Sequence, residues 1–115
     1  MNSDGHFNDT HIMKRSITVN TRSARGLQLL KDLIAKSDVV IENFSAGVLT
    51  SWGLSYSEMR AVKPDIIYVS MAGFGQSGRR KDYITMGPSV QALSGLTLLS
   101  GLPDAPPAGW GWSYM

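Results

Sequence analysis

From residue 24 to residue 36 the apolar side chains Leu27, Leu30, Leu33 and Ile34 recur at helical spacing, with Lys31, Asp32 and Lys36 opposite. That period predicts an amphipathic helix, and Ser23 stands where an N-cap belongs. The pattern changes on both sides. Residues 16–20 are β-branched and alternate around Ile17 and Val19, which predicts a short strand. Val39, Val40 and Ile41 form a near-continuous apolar run between Asp38 and Glu42, the pattern of a strand buried on both faces. Residues 46–52 predict a short helix ended by Gly53. Residues 55–62 predict another, with Ser55 and Glu58 at capping-box spacing. Pro64 breaks the chain, and residues 66–70 read as a third strand. A glycine-rich loop follows at residues 73–78, and Pro88 can open a helix that runs to about Leu99. Residues 1–13 lack periodicity and read as a loop or frayed end.

The order is β-α-β-α-α-β, then a loop and a helix. Such alternation implies an α/β fold with a parallel sheet and right-handed crossovers. Three strands are few for a self-standing doubly wound domain. The expected organisation is a flexible segment over 1–13, a partial ligand-binding domain over 14–100, and a Pro/Gly/Trp-rich loop over 101–115, all as a fragment of a larger enzyme.

Composition removes several classes. The 115 residues carry 11 Lys+Arg against 9 Asp+Glu, a net charge of only +2. No nucleic-acid partner is expected from so small an excess without a basic stripe. Zero cysteines exclude a disulfide scaffold, a thiolate zinc site and a Cys nucleophile. No apolar run reaches the roughly 18 residues of a membrane helix, so no membrane partner is expected. The polar start has no signal-peptide core, which makes the cytoplasm the default location.

Ligands of open α/β sheets bind outside the carboxyl ends of the strands. Three spots meet that rule: residues 19–22, residues 43–45 and residues 72–78. Arg22 offers a fixed cation, Asn43 an amide, Phe44 an aromatic face, and the glycines open backbone N–H groups. Asn43 and Phe44 could orient a base, or cap a helix and join the core. Residues 73–78 spell G-x-G-x-x-G. As a dinucleotide fingerprint they need a helix directly after and an acid about 20 residues on, and the sequence supplies neither. A cleft-lining glycine loop and a plain connector are the other readings. Arg79, Arg80 and Lys81 could neutralise phosphate or merely be solvated. His6 and His11 with Asp4 and Asp9 have metal-ligand chemistry but a poor scaffold, so no metal is expected. Trp110 and Trp112 could cover a ligand or pack against another domain. None of the nine carboxylates has an evident catalytic partner, and no serine sits in a nucleophile elbow.

The runs Lys14-Arg15-Ser16-Ile17-Thr18, Asp38-Val39-Val40-Ile41-Glu42-Asn43-Phe44 and Gly47-Val48-Leu49 resemble the family III CoA-transferases, the carnitine dehydratase and bile-acid-inducible group. The runs Pro64-Asp65-Ile66-Ile67-Tyr68-Val69-Ser70, Gly73-Phe74-Gly75-Gln76 and Gln91-Ala92-Leu93-Ser94-Gly95-Leu96 continue the likeness, from about Phe7 to Met115. The resemblance implies a Rossmann-like coenzyme A domain within an interlocked homodimer, acyl-CoA and carboxylic acid substrates, and an interior fragment of a longer chain. It implies coenzyme A contacts at Val19, Asn20, Thr21 and Arg22, at Asn43, Phe44 and Ser45, and at Ile84, Thr85, Met86 and Gly87.

The family nucleophile is an aspartate that would fall immediately after Met115, so the resemblance implies a fragment that transfers nothing alone. Some positions depart from the family pattern. Ile84 and Ser51 stand where members carry basic contacts, Gly87 where many carry an acid, and Met86 where transferases carry Tyr and racemases His. The absent His counts against racemisation. A non-catalytic remnant or packing segment, and a dinucleotide-binding module, are the alternatives.

Overall fold

The computed structural model describes residues 5–108. Asp4, Trp110, Trp112 and the side chain of His6 lie outside the described residues. The elements are α1 (Gly5–Thr10), α2 (Ala24–Ala35), β1 (Val39–Glu42), α3 (Val48–Ser51), α4 (Tyr56–Val62), β2 (Ile67–Ser70), α5 (Gly87–Leu93) and α6 (Leu96–Leu99).

Helix α2 starts where its cap predicts. The Ser23 hydroxyl accepts the Gly26 N–H at 3.0 Å, satisfying one of the first-turn donors. Helix α4 carries the full capping box, with Ser55 N–H donating to Glu58 Oε2 at 2.7 Å and Glu58 N–H returning to the Ser55 hydroxyl. Gly47 at φ 79° opens α3, and Gly53 at φ 73° stops it, both conformations a side chain disfavours.

Strands β1 and β2 pair in parallel, Val39 opposite Ile67, Val40 opposite Tyr68, Ile41 opposite Val69 and Glu42 opposite Ser70. Alternation then sorts the side chains. Val40, Glu42, Tyr68 and Ser70 point to one face. The buried core of Ile34, Leu54, Met59 and Ile66 lies on that side, joined by Leu27, Leu30, Val40, Leu49, Trp52 and Tyr68. Helices α2 and α4 pack together over it.

Four expectations are corrected. Residues 16–20 form no strand, because no ladder partner stands beside them among the described residues, and Ile17 stays exposed. The sheet therefore has two strands rather than three. Strand β1 is buried on one face only: Ile41 is 65% exposed, and Ile67 on β2 is 58% exposed. The two helices cover a single side of so small a sheet. The expected helix from Pro88 to Leu99 breaks into α5 and α6 at Gly95, φ 82°. Residues 5–10 form helix α1 in place of the expected loop.

The result is extended. The radius of gyration is 17.8 Å, against about 13 Å for a compact domain of this length.

Candidate functional site

The parallel pairing brings the carboxyl ends of β1 and β2 side by side, so the loops leaving Glu42 and Ser70 share one edge of the sheet. Glu42 closes that edge. It is only 6% exposed, and buried carboxylates survive when their oxygens are hydrogen-bonded. Oε2 accepts the Phe44 N–H at 2.7 Å, and Oε1 accepts the Tyr68 hydroxyl at 2.9 Å. Gln76, from the glycine loop, donates to Oε1 at 3.4 Å. Burial pushes the Glu42 carboxyl up, but hydrogen bonds from the Ser70 hydroxyl, the Phe44 N–H and the Tyr68 hydroxyl outweigh it and hold the group below the usual carboxylate range. The Tyr68 phenol moves upward, through burial first and then its hydrogen bond to Glu42. Tyr56 stacks on the Tyr68 ring at 6.0 Å and steadies it.

A depressed folded-state pKa gives stability that is present above the unfolded value, ordinarily 4.5, and is lost as pH falls through the lower folded value. Wild type and Glu42→Gln should therefore differ more in urea midpoint at pH 7 than at pH 3. A pH-independent gap would contradict the carboxylate's role.

The expected contact residues fall in three groups. Val19, Thr21 and Phe44 line one cavity of about 530 Å³, together with Ile17, Leu49 and Trp52. Phe44 is half exposed and meets the Trp52 ring edge-on at 5.3 Å. Asn43 and Ser45 are exposed beside it. Asn20 lies in a second hollow with Ser23, Arg25 and Gly26, and its Oδ1 accepts the Arg22 N–H at 3.0 Å, which shapes the turn before α2. The Arg22 residue itself is exposed.

Of Ile84, Thr85, Met86 and Gly87, Thr85 meets the glycine loop, while Ile84 and Met86 are exposed. A Cβ at Gly73 would press on the Thr85 side chain, so any residue other than glycine there would force one of the two segments to shift. None of the four lines the larger cavity. The dinucleotide alternative is not supported: residues 79–82 turn, and the next helix begins only at Gly87.

Sequence reasoning left Glu42 without a partner and Gln76 without a task. The available signal was that the Glu42-Asn43-Phe44 and Gly73-Phe74-Gly75-Gln76 blocks both follow strands that pair. Among the described residues, no three His, Asp or Glu side chains gather as a metal site, and no helix is long and apolar enough to cross a membrane.

The family model for CoA-transferase family III matches residues 1–115. The chain belongs to CoA-transferase family III. It is 39% identical over 94 residues to a succinyl-CoA–D-citramalate CoA-transferase of Chloroflexus aurantiacus, covering 82% of this chain and 23% of that protein. It is 37% identical over 105 residues to a succinate–glutarate CoA-transferase of Agrobacterium fabrum, covering 91% and 26%. A solved CAIB/BAIF family protein from Brucella suis superposes with a TM-score of 0.75 at 39% identity, over 84% of this chain and 26% of that one. This family III chain thus spans about a quarter of the length of the curated relatives it matches.

Proposed function

We propose that these residues are the coenzyme A-binding part of a transferase that moves coenzyme A between carboxylic acids. The observation that carries this reading is the meeting of Val19, Thr21 and Phe44 at one cavity beside the strand tips, in a chain of CoA-transferase family III. On this reading Arg22 faces the phosphates of the nucleotide, and Asn43, Phe44 and Ser45 orient its base. Residues 73–78 border the thioester cleft, with residues 84–87 beyond them.

The reaction in this proposal runs through an aspartate of the longer polypeptide. Its carboxylate attacks the acyl-CoA carbonyl, the C–S bond breaks, and a mixed anhydride forms as CoA thiolate leaves. The thiolate then attacks the aspartyl carbonyl, releasing the donor acid and leaving an aspartyl-CoA thioester. The acceptor carboxylate attacks that thioester and expels the thiolate, giving a second mixed anhydride; the thiolate then attacks the acceptor's carbonyl, which forms the new acyl-CoA and frees the aspartate carboxylate. Glu42 is unsuited to the nucleophile's role, because its oxygens are occupied and its negative charge is already stabilised. The 115 residues alone are therefore expected to turn over no acyl-CoA. Acyl-CoA and carboxylic acids would be the substrates of the full polypeptide, and a homodimer its assembly.

Calorimetric titration of this chain with coenzyme A, with NAD as control, tests the reading. Coenzyme A should bind and NAD should not. Arg22→Ala should weaken coenzyme A roughly tenfold, the loss of one hydrogen bond to a charged group. Unchanged affinity in that variant would remove Arg22 from the site, and preferential NAD binding would overturn the proposal.

A further inference from the structure

Gln76 is exposed, yet both ends of its amide are engaged within the protein. Nε2 donates to the Ser70 hydroxyl at 2.7 Å and to Glu42 Oε1 at 3.4 Å. Oε1 accepts the Gly47 N–H at 3.0 Å. These partners belong to the end of β2, the end of β1 and the start of α3. The amide's orientation is fixed by chemistry, since Glu42 can only accept and Gly47 N–H can only donate. The loop is shaped to deliver it: Gly75 adopts φ 74°, and its N–H closes a turn on the Ala72 carbonyl at 2.8 Å. Phe44 N–H is held by the other oxygen of the same Glu42 carboxylate. The backbone that carries Asn43, Phe44 and Ser45 is thus fastened at Phe44 and at Gly47, and both fastenings run through the Glu42–Gln76 pair.

We propose that Gln76 is a positioning residue, a latch that makes the residues 43–47 loop and the residues 72–76 loop move as one body. Glu42 is its anchor and Gly47 its far contact. This inference deepens the coenzyme A reading and rests on it for its consequence, which is that the aromatic and amide groups of the first loop keep a fixed distance from the glycine loop.

The test separates the two claims. In Gln76→Glu a carboxylate faces Glu42 with no donor between them. Amide exchange at Gly47 and Phe44, followed by NMR, should quicken roughly five- to tenfold, about the worth of one net hydrogen bond. The exchanged pair Glu42→Gln with Gln76→Glu restores one donor facing one acceptor and should return both rates towards wild type. A role limited to bulk would show no such rescue. Coenzyme A affinity, measured in parallel, should fall in the single variant and recover in the double. Unchanged exchange in Gln76→Glu, or no recovery in the pair, overturns the latch whatever the affinity does. A wild-type chain that shows the exchange pattern but binds no coenzyme A overturns the functional reading and leaves the latch standing.

Discussion

Met59→Ala is expected to abolish cooperative thermal unfolding of this chain. Met59 is 1% exposed and sits on α4, in a core with Ile34, Leu54 and Ile66. Truncating a fully buried Met to Ala costs roughly 2–5 kcal/mol, through lost transfer energy and the cavity left behind. A domain of ordinary compactness could absorb that. This one has four buried large apolar side chains among its described residues and a radius of gyration of 17.8 Å. At the low end of the usual range, a chain of 115 residues holds only about 6 kcal/mol. One substitution at the centre of so small a core removes a large share. Met59→Leu keeps the volume and should cost under about 1.5 kcal/mol. Circular dichroism melts of the three proteins check this. A sharp Met59→Ala transition within a few degrees of wild type would mean that stability resides elsewhere.

The elements that read correctly from the sequence are those whose signals are local. Leu27, Leu30 and Ile34 turn α2 to the core as their spacing predicts, although Leu33 from the same pattern stays 40% exposed, and Ser23 fixes the helix start within one turn. Ser55 and Glu58 do the same for α4. What failed depends on neighbours that a local pattern does not report. Residues 16–20 alternate as a strand should, but alternation says nothing about a hydrogen-bonding partner. Val39-Val40-Ile41 carries the composition of a doubly covered strand, while the described residues supply cover for one face. Gly95 lies inside the span expected to run as one helix from Pro88 to about Leu99, and its left-handed φ splits that span into two.

The candidate site divides the same way. The strand-end rule found residues 43–45 and the glycine loop, because both follow strands that could be recognised. It missed the link between Glu42 and Gln76, which lie 34 residues apart and meet only because Glu42 pairs with Ser70 in the sheet register. The two blocks that best carried the family resemblance are the two halves of that link. Their likeness to the family is accompanied here by a physical contact, which composition and spacing could not supply.

Gly26→Ala should reverse the usual sign of a glycine-to-alanine change in a helix. In an unobstructed helix interior, alanine is favoured by about 1 kcal/mol. At Gly26 the added Cβ would stand 2.0 Å from the Asn20 carbonyl oxygen and 2.9 Å from its carbon. These are backbone atoms, so no rotamer relieves the clash, and either the turn over residues 20–23 or the first turn of α2 must shift. Overpacking of this kind costs about 1–3 kcal/mol, occasionally more. The Ser23 cap would suffer too, because its hydroxyl joins Asn20 to Gly26: it donates to the Asn20 carbonyl and accepts the Gly26 N–H, both at 3.0 Å. The same shift would carry Asn20 and the Arg22 N–H it accepts, so coenzyme A affinity should fall along with stability. Gln28→Ala, two residues on at an exposed position, serves as the control and should change the urea midpoint little. A Gly26→Ala chain with a raised midpoint would show that the turn does not press on the helix, and would uncouple Gly26 from the turn that carries Asn20 and Arg22.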